Sequence, residues 1–288
     1  MKKSAIILLA ALLMIAVAGC GSGSGKDQSG TKAKGVKVIE IPLTQEEYAF
    51  GVDKNQPELL EQVNEFIARI KADGTLDGIL NRYFGDGEPR PVASAELVPG
   101  KDQLVVATNA AFEPFEYTVG DKYYGVDMEI AALFAEYLGK ELVISNMDFD
   151  AVVLSVGQGK ADIGMAGLTV TEERKAYVNF SDKYFDAAQM IIVKASDTRF
   201  DDAKTTADLE AVLSGLSRDT RVGFQTGTTA QFYVEGDEDW GFPGLNVTGV
   251  GYRNGSLAVQ DMLNGNLDFV IIDEAPAKFI VAAFNELQ

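Results

Sequence analysis

Histidine is missing from this 288-residue chain, and cysteine occurs once, at Cys20. Without histidine the commonest general acid–base group is gone, and with a single cysteine so are the usual zinc ligand sets. A lone cysteine also excludes any disulfide within the chain. Basic residues are scarce: 25 Lys and Arg stand against 43 Asp and Glu, a net charge of −18. That balance argues against nucleic acid and against an anionic membrane surface as partners. By itself the acidity reads as a solubility device and points to no ligand. The acidic cluster EGDEDW at 235–240 lacks the spacing of a calcium loop and reads as a solvated turn.

The N-terminus is more specific. Lys2 and Lys3 precede fourteen apolar residues, AIILLAALLMIAVA at 5–18, too few to span a bilayer comfortably but suited to a signal-peptide core. The segment VAGC, ending at Cys20, resembles a bacterial lipobox, in which the cysteine is lipidated and becomes the first residue. The expectation is a signal peptide over 1–19 and a lipidated, flexible tether over 20–35. The folded body would then be exported and held on the outer face of a bacterial cell membrane through lipid on Cys20. A plain signal peptide ending near a cysteine is the alternative.

Beyond residue 35, apolar periodicity alternates between short β-rich runs and helical stretches, the mark of an α/β architecture. QLVVAT (103–108), ELVISN (141–146) and ADIGMAG (161–167) read as strands, and DMEIAALFAEYL (127–138) and FDAVVLSVGQ (149–158) as helices. A second series starts at TRVGFQTG (220–227) and ends with the helix GSLAVQDMLNG and the strand LDFVIID (267–273). Each series has a helix, a glycine, two residues and an aspartate opening an apolar strand: GKADIGM at 159–165 and GNLDFVI at 265–271. Gly159 and Gly265 suit helix stops, and Asp162 and Asp268 suit turn caps. Two such units about a hundred residues apart predict two similar lobes, with 177–195 crossing between them. Ligands of open parallel sheets bind beyond the carboxyl ends of the strands. The segments to inspect are therefore 109–117, 166–174, 225–232 and 273–277.

At these places the chain resembles the amino-acid-binding lipoproteins of ABC importers, within the extracellular solute-binding proteins. The resemblance is carried by ATNAAFEPFEY, YGVDMEIAALFAEYLG, DIGMAGLTVTEERKAYVNFSDKYF, VGFQTGTTAQFYVE and DFVIIDEAPA. It implies a two-lobe periplasmic-binding-protein-like (type II) fold with two crossing hinge strands, 102–187 forming lobe 1 and 188–288 lobe 2. It also implies a binding protein without cofactor, metal or catalytic residues, with a free amino acid and a permease as partners and a monomer as the working unit. The chemistry agrees. A free amino acid needs a clamp for its carboxylate, which Arg174 can supply bidentately at a short helix start. It needs an anion for its ammonium, and Asp273 closes an apolar strand where it can serve as that anion, as a helix cap, or as both. The resemblance further implies that the carbonyl of Ala166 or Gly167 and the hydroxyl of Thr169 hold the ammonium. Backbone N–H groups of Thr169 and Thr229, next to Thr228, would hold the carboxylate, and Gly227 would let the backbone approach the ligand closely. Phe112 and Phe149 would flank the side chain, with Gln225 and Asn109 at its distal end. Relatives that bind arginine, lysine or histidine commonly carry aspartate where this chain has Asn109. A neutral amide cannot offset a buried cation, so the expected ligand is neutral and polar, glutamine being one candidate. Asp127, Glu113 or Glu116 could still supply a charge from another direction.

In the same resemblance, residues 36–85 are a family C-terminus placed at the front, and the chain stops at IVAAFNELQ without it. A circular permutation is expected: 36–46 completing lobe 2, 47–85 supplying a hinge strand and helices to lobe 1, and 86–101 joining old end to old beginning. Sixteen residues reach up to roughly 50 Å, ample to cross a lobe. Leu59, Val63, Phe66, Ile67 and Ile70 form an apolar helical stripe behind Pro57, a good first helical residue. A swapped dimer and a loosely packed remnant are the alternatives for this segment. Two further functions remain open: a ligand sensor coupled to a receptor, and a dehydratase-like enzyme using carboxylates on the same architecture.

Overall fold

Strand-forming runs of two to six residues, broken by glycine and aspartate turns, assemble into two five-stranded sheets in this computed structural model, which describes residues 35–286. The expected signal peptide, Cys20 and the tether as far as residue 34 lie outside the described residues. The first sheet, in lobe 1, runs Val178–Phe180, Gly51–Asp53, Ile163–Gly164, Gln103–Thr108, Glu141–Asn146. The second, in lobe 2, runs Val36–Ile39, Gln189–Lys194, Phe269–Asp273, Arg221–Gln225, Thr248–Tyr252. Both follow one pairing pattern: the first two steps across the sheet are antiparallel and the last two parallel.

The repeated Gly-x-x-Asp motif has a shared role. Gly159 and Gly265 end their helices with φ of 66° and 89°. Asp162 and Asp268 do more than cap their own turns. Each carboxylate accepts a backbone N–H near the start of the neighbouring parallel strand, Val105 N–H at 2.7 Å and Arg221 N–H at 2.8 Å. The backbone N–H of each aspartate returns a bond to the carbonyl of the same residue. The motif is thus a clip that fixes register between adjacent strands of each lobe. The strand expected over 161–167 is much shorter, only Ile163–Gly164, because the chain turns at once toward the seam between lobes.

The early segment pairs within its own chain. Val36–Ile39 lies antiparallel to the 189–194 strand at the edge of lobe 2. Glu46–Tyr48 pairs with Phe185–Ala187 to form a two-stranded hinge. Gly51–Asp53 then enters the interior of the lobe 1 sheet. Helix Pro57–Ala72 buries Leu59, Val63, Phe66, Ile67 and Ile70, and helix Thr75–Phe84 buries Leu76, Ile79 and Tyr83. Burying the five side chains of the longer helix contributes on the order of 10 kcal/mol before entropy is counted. Both helices pack on helix Val126–Leu138, whose buried Glu129 accepts from Tyr83 Oη at 2.8 Å and from Arg82. Residues 86–101 stay against lobe 1: Val92 bridges to Tyr123, and Ala95 N–H donates to Leu142.

Candidate binding site between the lobes

The two hinge strands bring the carboxyl ends of both sheets face to face, and there the polar residues cease to be solvated. Arg174 follows Thr171, whose hydroxyl caps the one-turn helix Glu172–Lys175 by accepting the Arg174 N–H at 3.1 Å. Its guanidinium is buried and donates to the Thr169 carbonyl at 2.7 Å in lobe 1 and to the Gly227 carbonyl at 3.0 Å in lobe 2. It also stands 5.3 Å from the Phe149 ring centroid, a cation–π arrangement. Burial lowers its pKa, against the opposing pull of Glu46 and Asp273. Arg174 and Asp273 therefore lie within electrostatic reach of each other at one seam, though their side chains come from different lobes.

Asp273 ends the central strand of lobe 2, is buried, and accepts from Tyr48 Oη at 2.6 Å. Burial first, then the charge of Glu46, raises its pKa, and the Tyr48 hydroxyl moderates the rise. Glu46 takes the central position. Its carboxylate accepts from the hydroxyls of Thr169 at 2.7 Å, Thr229 at 2.9 Å and Thr44 at 2.7 Å. Thr229 in turn accepts from Gln189 Nε2 at 2.8 Å. At the other end of the seam, Gln225 Nε2 donates to Asn109 Oδ1 at 2.9 Å, and Asn109 Nδ2 donates to the Met147 carbonyl at 2.7 Å. The Thr228 hydroxyl turns inward to the Gln225 carbonyl at 2.7 Å.

Several of the expected residues are engaged with groups of the protein itself. The Thr169 hydroxyl faces Glu46, so here it serves a side chain of the hinge. Gly227, at φ 79°, makes its close approach to the opposite lobe: a Cβ there would stand 2.9 Å from the Asp150 Cβ. Gly167 sits against the rings of Phe112 and Tyr48, and its N–H donates to Asp127 at 2.9 Å, while Ala166 is buried in the lobe 1 core. Phe112 and Phe149 are both buried, the first beside Phe115 and the second under Arg174. Asp127, which also accepts from Tyr184 Oη at 2.6 Å, is pushed up to about 7 by burial, moderated by these two donors. Glu116 is buried with neither carboxylate oxygen partnered among the described residues, and burial followed by the charges of Asp127 and Asp273 raises its pKa. Glu113 is half-buried and raised by burial.

Hollows line the seam. One of about 200 Å³ is walled by Tyr48, Phe84, Phe115, Phe185, Phe279 and Asp273. Another of about 210 Å³ touches Phe149, Asp150, Arg174, Gly227 and Phe232, and one of about 430 Å³ touches Asn109, Asp148 and Arg253. The buried Oε1 atoms of Gln189 and Gln225 have no partner among the described residues, so the seam keeps hydrogen-bonding capacity of its own. No group of His, Cys, Asp and Glu suited to a metal occurs among the described residues. Sequence reasoning passed over Glu46 and Tyr48 as site residues. A signal existed: in EEY the first and third residues share one face of a strand, and the structure buries both while exposing Glu47.

Two lobes of matching topology, hinged by paired strands and facing each other across polar groups, form a periplasmic-binding-protein-like clamp. The chain belongs to the bacterial extracellular solute-binding proteins, family 3, whose model matches residues 2–86 and 104–274. It is 39% identical over 95 residues to the arginine-binding extracellular protein ArtP of Bacillus subtilis, covering 33% of this chain and 37% of that one. It is 28% identical over 194 residues to a probable histidine-binding protein of Neisseria gonorrhoeae, covering 66% and 65%. The chain thus spans less than two thirds of the length of either curated relative. Among solved structures, an ancestral arginine-binding protein bound to glutamine aligns with 34% identity and a TM-score of 0.52, over 64% of this chain and 74% of that one. The ancestral amino-acid-binding protein AncCDT-1, a precursor of cyclohexadienyl dehydratase, aligns with 28% identity and a TM-score of 0.52, over 74% and 78%.

Proposed function

We propose that this protein binds a free amino acid between its lobes and delivers it to the permease of an ABC importer. The observation that carries the reading is the convergence of Arg174 from lobe 1 and Asp273 from lobe 2 on one buried seam. A guanidinium and a carboxylate so placed match the two charged ends of a zwitterion, one end per lobe, so that ligand binding and lobe closure become one event. The relatives named for arginine and histidine binding support the amino-acid class. The uncharged far wall, Asn109 with Gln225, supports a neutral polar side chain, glutamine being the first candidate. One observation favours a basic ligand instead: Glu46, Asp127, Glu116 and Asp273 are all buried near the hinge, and Arg174 is the one buried basic side chain among the described residues. Isothermal titration calorimetry against the twenty amino acids separates the readings. Glutamine binding unchanged, without turnover, supports the neutral importer reading. Arginine binding moves the specificity to the acid cluster, and consumption of a ligand would mean the dehydratase-like alternative.

Export with lipid attachment at Cys20 belongs to the same proposal and is supported by the VAGC segment and by relatives described as extracellular. So does the circular permutation, supported by the two matched blocks, which break at residues 87–103, and by the early strands lying in both sheets. The working unit in this reading is a monomer. Mass spectrometry of the processed N-terminus tests the lipid.

A further inference from the structure

The hydroxyls of Thr169 and Thr229 belong to opposite lobes, and both donate to the same oxygen of Glu46, at 2.7 and 2.9 Å. Glu46 itself opens the first hinge strand, is only 5% exposed, and its charge leads those that pull on Arg174. A carboxylate bridging the lobes beside the guanidinium clamp has the charge, donors and position that an amino acid's own carboxylate requires. We propose that Glu46 is an internal stand-in for the ligand carboxylate, latching the lobes together when no amino acid is bound and having to be displaced for one to enter. The proposal rests on the amino-acid reading above and adds to it a competitor built into the chain.

The latch is reversible for a structural reason. Thr44, partly exposed just before the hinge strand, holds the second oxygen of Glu46 at 2.7 Å. The side chain can pivot about that bond toward the seam's edge without losing all its donors. While latched, the seam keeps Thr169 and Thr229 engaged, and only the unlatched fraction can accept ligand. Apparent affinity falls in proportion to that fraction. A neutral amide at this position accepts more weakly than a carboxylate, so Glu46→Gln should free the lobes, and Glu46→Asp, one methylene shorter, should fail to reach both hydroxyls while keeping the charge.

The test is carried out on the full chain carrying Cys20→Ser, with spin labels on cysteines introduced at the exposed positions Lys160→Cys in lobe 1 and Ser214→Cys in lobe 2. Pulsed electron resonance without ligand should give one short, narrow interlobe distance with Glu46 and longer, broader distributions with Glu46→Gln and Glu46→Asp. Identical distributions in all three would overturn the latch. Calorimetry with L-glutamine and L-arginine adds a second readout: the better of the two should bind Glu46→Gln about fivefold or more tightly than the parent. Weaker binding would mean that Glu46 holds the ligand directly, and the proposal fails. If neither amino acid binds any variant, the amino-acid reading is what fails, and the ligand-free distances still decide the latch.

Discussion

Lobe 1 and lobe 2 share one sheet pattern and one Gly-x-x-Asp clip, yet the chain builds them from different pieces. Lobe 2 takes from the early segment one edge strand, Val36–Ile39, and the buried Leu43 that follows it. Lobe 1 takes an interior strand, Gly51–Asp53, and two helices that cover its core. An edge strand has one neighbour to lose, whereas an interior strand has two. The same fifty residues are therefore peripheral to one lobe and structural to the other. Topology can repeat while dependence on a given stretch of sequence does not.

That contrast can be broken outright. Deleting residues 36–85 should abolish folding of lobe 1 and leave an aggregating product; a soluble protein with a cooperative melt, followed by circular dichroism, would show that the early segment is dispensable. Arg174→Ala comes next. In the proposed reading it leaves the ligand carboxylate without its clamp and should weaken binding by about 2–5 kcal/mol, read by calorimetry, while the melting temperature of lobe 2 stays put. The third prediction concerns buried acids. Asp127 in lobe 1 titrates at about 7 when folded and near 3.9 when unfolded. Between those values the folded chain holds a proton that the unfolded chain has lost, so stability falls as pH rises from about 4 to about 7 and then levels. For one wholly buried group the full span is up to about 4 kcal/mol. Asp127→Asn should flatten that part of the pH–stability curve; an unchanged slope in urea titrations would assign it elsewhere. The smallest effect belongs to Arg253 and Asp148, an ion pair across the lobes at 2.7 Å with both side chains largely exposed. Arg253→Ala should shift ligand affinity by less than about 1 kcal/mol, and a larger change would make this surface pair part of closure.

Much of the architecture was readable because it is written in local periods. The stripe from Leu59 to Ile70 repeats at helical spacing, Pro57 and the glycine stops mark ends, and the paired motifs around Asp162 and Asp268 announce two lobes. The site was legible only in part. Arg174 and Asp273 could be proposed as ends of a clamp from residue type and from their position after strands. What escaped was the partnership of side chains far apart in the chain: Tyr48 with Asp273, Glu46 with both threonines, Gln225 with Asn109. No local period reports a hydrogen bond between residues separated by 116 to 225 positions. Asp162 shows the same limit at smaller scale, since its turn was visible and the neighbouring strand it clips was not.

Residue order and hydrophobic spacing were enough to dictate strands, helices, their ends and the doubling of the lobe, because burial of an apolar face depends on neighbours three or four residues away. Which polar atoms meet at the seam depended on two hinge strands pairing and two sheets facing each other. Only then does a carboxylate at residue 46 find hydroxyls from both halves in a buried seam.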